Sequence, residues 1–134
     1  MSVVEIQVAI KSDQDIVSAR QKGRLMASEL GFSSGDATLI ATAISELARN
    51  IVSYARRGQI TLKMVNGTNR QGISVIATDD GPGIPDIRQA LRDGFSTSGS
   101  LGFGLPGVRR LMDEFEITSQ PGRGTTVAVK KWRE

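Results

Sequence analysis

An acid and an amide stand one helical turn apart in the stretch ISELARNI, as Glu46 and Asn50. An α-helix turns about 100° per residue, so a helix here places both side chains at one border of an apolar stripe that contains Leu47 and Ile51. The wall of a cleft could lie at that border. Carboxylate and amide oxygens suit Mg²⁺, which takes only one or two protein oxygens, and a carboxylate beside a bound phosphate could accept a hydroxyl proton. A solvated helix flank is the alternative interpretation.

A second acid ends a predicted strand in the stretch ISVIATDDGPG. Strand residues alternate between two faces, so Asp79 shares a face with apolar side chains such as Val75 and Ala77. A carboxylate on such a face needs a hydrogen-bond donor, and the amino group of a bound ligand could supply one. Gly81 and Gly83 allow the backbone to turn sharply and a flat ligand to approach closely. A surface turn would explain the glycines but not the position of the acid.

A glycine-rich segment, GFSTSGSLGFGLPGV, contains Gly102 and Gly104 ahead of a helix that is predicted to begin near Leu105. Its spacing matches the dinucleotide fingerprint, but no strand immediately precedes it and no acid follows about 20 residues later, where the ribose would need one. We therefore reject that fingerprint. Glycines that lead into a helix can still present free N–H groups and the positive end of the helix dipole to a phosphate. A plain flexible loop is the alternative.

A last glycine segment, PGRGTTVAV, opens the final predicted strand. The hydroxyl group of Thr125 or Thr126 could project from it into the same cleft. Taken alone, a tight hairpin would explain this segment as well.

The elements that must position these residues follow from hydrophobic periodicity and from turn residues. Helices are expected from Ser12 to Gly31, over 36–55, near 86–92 and over 105–113. Strands are expected over 3–10, 60–65, 73–78, 115–120 and 125–132. Strands that follow one another without a helix between them should pair antiparallel. The predicted fold class is an α/β two-layer sandwich, with a mixed, mostly antiparallel sheet that carries its helices on one face.

Composition excludes several kinds of chemistry. The 134 residues include neither cysteine nor histidine, which removes thiolate and imidazole nucleophiles, bases and metal ligands from this chain. The net charge is +3, but the basic residues do not cluster or alternate with aromatics, which disfavours a nucleic-acid partner. No apolar run approaches the roughly 18 residues needed to span a bilayer. We expect a single domain, 1–134, in a reducing cytoplasm, with no membrane partner.

Four segments in order resemble the ATP-binding boxes of the GHKL (Bergerat-fold) superfamily. SELARN resembles the N-box, DDGPG the first glycine box, GFGLPGV the second and GRGTTV the third. The superfamily includes gyrase-type ATPases, Hsp90-type chaperones, histidine-kinase ATP domains and small bacterial serine kinases. The resemblance implies a Bergerat fold over most of the chain, with ATP and Mg²⁺ as cofactors.

The resemblance also implies a role for each matching residue. Asn50 is similar to the asparagine that binds magnesium, and Glu46 to the acid that activates a hydroxyl group or water. Asp79 resembles the aspartate that accepts a hydrogen bond from the adenine amino group. Residues 94–101 resemble the lid. The other implied nucleotide-binding positions shape the pocket or contact adenine and phosphate: Gly81, Gly83, Gly102, Gly104, Leu105 and Thr125.

Within the superfamily, ISELARNI, DGFSTSG and LGFGLPGVRRLMDEF resemble the serine/threonine kinases of bacterial partner-switching pathways, and more narrowly the stressosome switch kinases. Such a kinase phosphorylates STAS-domain scaffold proteins and, once released, binds and activates a protein phosphatase. Three alternatives remain. An anti-sigma-factor serine kinase would carry nearly the same boxes, a binding module could use nucleotide only to set its shape, and a nucleic-acid binder is suggested only by the basic isoelectric point. A pull-down of partners, an assay of phosphate transfer and salt-sensitive DNA retention would separate them.

Overall fold

The computed structural model describes residues 5–83 and 104–133 of the chain. In chain order its elements are the strand β1 (Glu5–Ile10), the helices α1 (Asp13–Glu29) and α2 (Ser34–Asn50), the strands β2 (Gly58–Gly67) and β3 (Arg70–Asp79), the helix α3 (Leu105–Leu111), and the strands β4 (Glu114–Gln120) and β5 (Gly124–Trp132). The predicted helix near 86–92, the lid at 94–101 and Gly102 lie outside the described residues. No described helix is long and apolar enough to cross a membrane.

The five strands form one sheet in the order β1-β2-β3-β5-β4, and every neighbouring pair is antiparallel. The predicted two-layer fold with a mostly antiparallel sheet is therefore confirmed. The prediction that the sheet is mixed was wrong for the described strands, because none of them pairs parallel to another. Two helices separate β1 from β2, and β2 starts at the end of the sheet where β1 stops, with Ile10 opposite Gly58.

Local signals set the ends of the first two helices. The Asp15 carboxylate accepts a hydrogen bond of 3.1 Å from the backbone N–H of Ser12, just before α1. Gly31, with a φ of +88°, follows α1 in the left-handed conformation that favours glycine. The Ser33 hydroxyl oxygen accepts a hydrogen bond of 3.1 Å from the N–H of Asp36 and caps the start of α2.

The hydrophobic core lies between the helices and one face of the sheet. Alternate strand residues face the helices in rows that cross the sheet, and one such row consists of Val8, Ile60, Ala77, Val127 and Ile117. The apolar stripe of α2, which includes the fully buried Ile40, Ile44 and Leu47, covers these rows. This packing places the C-terminal end of α2 over one end of the sheet.

Candidate active site

In the row of helix-facing residues at one end of the sheet, the residues on β2, β3, β5 and β4 are not apolar. We call these residues, Gly58, Asp79, Thr125 and Ser119, the polar row, and each lies directly opposite the next on β2, β3, β5 and β4. The adjacent row toward the middle of the sheet is the core row that contains Ala77. The hydrophobic core therefore ends at this row.

A cavity with an empty volume of about 450 Å³, its open mouth included, lies between the polar row and α2. Its polar lining groups are few and include Asn50, Asp79 and Thr125. A mostly apolar cavity with a few fixed polar groups is typical of small-molecule sites. The lining residues come from α2 and the turn after it, from β3 and the turn after it, from α3 and from β5: Leu47, Asn50, Ile51, Tyr54, Ala55, Ala77, Asp79, Pro82, Gly83, Leu105, Thr125 and Val127.

Asp79 lies on the helix-facing side of β3, as the alternation of the strand predicts. Its Oδ1 accepts a hydrogen bond of 2.8 Å from the backbone N–H of Gly81, and its Oδ2 can accept another from a ligand in the cavity. Gly81 itself packs so closely against the turn after α2 that an added Cβ would lie 2.6 Å from the Cβ of Ala55. A side chain at this position would push the chain away from α2.

The end of α2 departs from the expected regular helix. The predicted helix over 36–55 is α-helical only to Asn50, and Ile51–Ala55 form a single π-helical turn that ends at Arg56, whose φ is +73°. Such turns occur often at functional sites. Here the turn brings Tyr54 to the cavity wall. Tyr54 was not among the site residues predicted from the sequence.

Glu46 and Gly104 meet beside the cavity. The Glu46 side chain is 36% exposed, and its Oε1 accepts a hydrogen bond of 2.7 Å from Nη1 of Arg49. Its Oε2 faces Gly104, where an added Cβ would lie 2.6 Å from that oxygen. Because Gly104 precedes the lining residue Leu105, and Glu46 lies one turn before Asn50, the carboxylate lies next to the cavity rather than in its lining.

The first and last glycine segments are joined behind the cavity. The N–H of Gly122 donates a hydrogen bond of 2.8 Å to the carbonyl oxygen of Pro82. Gly83, with a φ of +82°, lies so close to the next strand that an added Cβ would be 2.4 Å from the carbonyl oxygen of Gln120. Gly83 therefore allows a backbone approach that a side chain would prevent.

Ser119 belongs to the site and was missed by the sequence analysis. Its Oγ is 2.8 Å from Oγ1 of Thr125 and donates to the carbonyl oxygen of Gly124 at 3.2 Å. The alternation of EFEITSQ places Ser119 on the same face as Phe115 and Ile117, so a serine at the end of an apolar face was the available signal.

The predicted residues thus fall into two neighbouring groups. Asn50, Asp79, Gly83, Leu105 and Thr125 line one cavity. Glu46 and Gly104 adjoin it, and Gly81 holds the Asp79 carboxylate.

The family can now be identified. Residues 35–134 match the family described as "Histidine kinase-, DNA gyrase B-, and HSP90-like ATPase". The match extends over more than half of the chain, so the chain belongs to this ATPase family. The fold agrees, since the structure superposes on the catalytic domain of the histidine kinase ThkA with a TM-score of 0.53 at 15% identity, covering 99% of this chain and 97% of the other.

A curated relative is much more similar in sequence. The chain is 57% identical over 125 residues to the serine/threonine-protein kinase RsbT of Bacillus subtilis (strain 168), covering 93% of this chain and 94% of the relative. It is 36% identical to the anti-sigma F factor of Thermoanaerobacter sp. (strain X514) over 69% of this chain and 68% of the relative. The prediction of an enzyme is confirmed, and the chain is a serine/threonine-protein kinase that uses ATP.

Proposed function

We propose that this kinase transfers the γ-phosphate of ATP to a serine or threonine of a STAS-domain scaffold protein in a bacterial stress-response pathway. Once released from that scaffold, it binds and activates a protein phosphatase, which completes the partner switch toward a sigma factor. The observation that carries the proposal is the cavity that both Asp79 and Asn50 line, in a chain 57% identical to RsbT.

In this proposal the base of ATP occupies the end of the cavity over the polar row. Asp79 accepts a hydrogen bond from the adenine amino group, while apolar lining residues such as Ile51 and Leu105 contact the flat ring. The phosphates extend along α2 toward Asn50 and Glu46. The base and the phosphates would thus lie at opposite ends of the cavity.

Asn50 is the residue that would hold Mg²⁺. One amide oxygen on a cavity wall fits this ion, which usually keeps several waters and takes its other ligands from the phosphates of the nucleotide. When bound, Mg²⁺ neutralises charge that develops on those phosphates during transfer.

Removing the Asn50 amide should raise the magnesium requirement. In Asn50→Ala we expect the Mg²⁺ concentration for half-maximal transfer to rise about tenfold, the size expected for one lost ligand interaction. A titration of transfer rate with MgCl₂ measures this. Asn66→Ala, which changes an exposed asparagine on the β2–β3 hairpin, is the matched control. An unchanged magnesium requirement in Asn50→Ala would remove Asn50 as the ligand.

Glu46 is the proposed base. The hydroxyl oxygen of the acceptor residue attacks the γ-phosphorus, the bond to the bridging oxygen of ADP breaks, and the hydroxyl proton passes to Oε2 of Glu46. The Arg49 guanidinium holds Oε1, so the carboxylate is oriented by one oxygen while the other remains directed toward Gly104.

The decisive experiment incubates the protein with Mg-ATP and a purified STAS-domain protein and locates any phosphate by mass spectrometry. We expect phosphate on a serine or threonine of the partner and, after transfer, release of the kinase and capture of a phosphatase in a pull-down. Transfer with no gain in phosphatase binding would limit the proposal to its first half. Nucleotide binding without transfer to any STAS protein would contradict it.

An anti-sigma-factor kinase is the second candidate, because the anti-sigma F factor relative is 36% identical over 69% of the chain. The same pull-down separates the two functions. Capture of a sigma factor in place of a phosphatase would favour this second function.

A further inference from the structure

Ser119 and Thr125 form a hydroxyl pair in the polar row. Thr125 lines the cavity, whereas Ser119 lies behind it on β4. Ser119 Oγ lies 2.8 Å from Oγ1 of Thr125 and donates a hydrogen bond of 3.2 Å to the carbonyl oxygen of Gly124.

The number of protons decides the direction of these hydrogen bonds. A carbonyl oxygen can only accept, so the hydrogen bond to Gly124 uses the single proton of the Ser119 hydroxyl group. The bond between the two hydroxyl groups must then use the proton of Thr125. Thr125 therefore turns its lone pairs, and not its proton, toward the cavity.

Asp79 is the neighbour of Thr125 in the polar row and faces the same cavity. An ionised carboxylate also only accepts. Residues directly opposite each other on antiparallel strands have Cβ atoms about 5 Å apart, so the floor of the cavity presents two acceptors side by side. An amino group on a ligand satisfies such a floor, whereas a carbonyl oxygen would meet only other acceptors.

We propose that Ser119 is a positioning residue that makes the cavity selective for the amino group of the base. Because Ser119 accepts the hydrogen bond from the Thr125 hydroxyl group, Thr125 is not available to donate to a carbonyl oxygen of a ligand at the same place. The inference rests on the proposed nucleotide site and adds to it the choice between a 6-amino and a 6-oxo purine.

The surroundings of Ser119 hold it in this role. A Cβ added at Gly83 would lie 3.2 Å from Ser119 Oγ, so the backbone of the first glycine segment covers the serine. Gly124, whose carbonyl takes the Ser119 proton, has a φ of +87°, and an added Cβ there would clash with the Asp79 carbonyl. The carbonyl group of Gly124, which accepts the hydrogen bond from Ser119, is thus held in place by the same contact that joins β5 to the end of β3.

The test compares adenosine diphosphate (ADP), which has an amino group at position 6 of the purine, with inosine diphosphate (IDP), which has a carbonyl oxygen there. Calorimetry measures the binding of each to the wild-type protein and to Ser119→Ala. Without Ser119 the Thr125 hydroxyl can rotate and donate to the inosine carbonyl. We expect the preference for ADP over IDP to fall about tenfold, the size of one hydrogen bond, mainly through tighter binding of IDP. Thr118→Ala changes the residue just before Ser119, which is exposed on the opposite face of β4, and should leave the preference unchanged.

A second variant keeps the inference testable if Ser119→Ala is poorly folded. Thr125→Val, made in the wild-type background, has no hydroxyl group to orient and should also lose preference for ADP over IDP, so an unchanged ratio in this variant would overturn the inference. An unchanged ratio in folded Ser119→Ala, or equal weakening of both ligands, would overturn the role of Ser119 while leaving the nucleotide site in place. Failure of the wild-type protein to bind either diphosphate would overturn the proposed site itself.

Discussion

Replacing Glu46 by glutamine should lower phosphate transfer about a hundred- to ten-thousandfold, the range that a positioned general base contributes, with little change in ADP affinity. Glutamine keeps the length of the side chain and an oxygen that can accept from Arg49 Nη1, which lies 2.7 Å from Oε1 in the wild-type protein. It cannot take up the proton of the acceptor hydroxyl. The expected loss is therefore confined to the chemical step.

Single-turnover transfer to the STAS-domain partner measures this loss, with ADP binding measured in parallel. Glu29→Gln, at the exposed end of α1, is the control for removal of one negative charge from a helix, and it should transfer at the wild-type rate. Full activity of Glu46→Gln would exclude Glu46 as the base. Loss of ADP binding together with transfer would instead make Glu46 a structural support for Gly104.

In Asp79→Asn we expect ADP to bind about ten- to a hundredfold more weakly, because a charge-assisted hydrogen bond contributes roughly 1.5–3 kcal/mol. Asparagine can still accept from the N–H of Gly81 through its one oxygen. Its NH₂ group would then face the cavity, where it meets the amino group of adenine donor to donor. The turn survives while the complementary contact to the base is lost.

Asp80→Asn is the matched control, since Asp80 is the next acid in the chain, is exposed and is absent from the lining of the cavity. Calorimetry with ADP on both variants, after thermal unfolding has established that they are folded, separates the two positions. Equal affinity of Asp79→Asn and wild type would place the base elsewhere. Equal weakening in both variants would point to a general effect of charge.

Strand alternation was enough to predict much of the site. It placed Asp79 on the core face of β3, and the three glycine-containing segments predicted which loops and helix ends would surround it. Such patterns succeed because burial of a strand face depends on a period of two residues, which can be read locally. The sequence also predicted the two helices that precede β2, and it predicted the ends of the first of them through Ser12 and Gly31.

Other features depend on contacts between distant residues and could not be read in this way. The π-helical turn at Ile51–Ala55 shifts backbone hydrogen bonds by one residue, and the side-chain periodicity of ISELARNIVSYA contains no sign of it. Ser119 was missed because its partner, Thr125, meets it only when β4 pairs with β5. A mixed sheet was predicted from the order of helices and strands, which does not decide how strands separated by helices will pair. Here β3 and β5 are neighbours in the sheet and pair antiparallel.

The polar row also has a consequence for how the protein acquires its activity. Gly58, Asp79, Thr125 and Ser119 belong to two strand pairs, β2–β3 and β4–β5, that lie far apart in the chain, and α2 supplies the opposite wall. A partly folded chain in which only the β2–β3 hairpin has formed has Asp79 but no pocket around it. Nucleotide affinity should therefore arise in the last cooperative step of folding, and a ligand that binds only the completed chain stabilises all of it by mass action. Saturating ADP should then protect amide groups in β1, which does not touch the ligand, as strongly as those in β3.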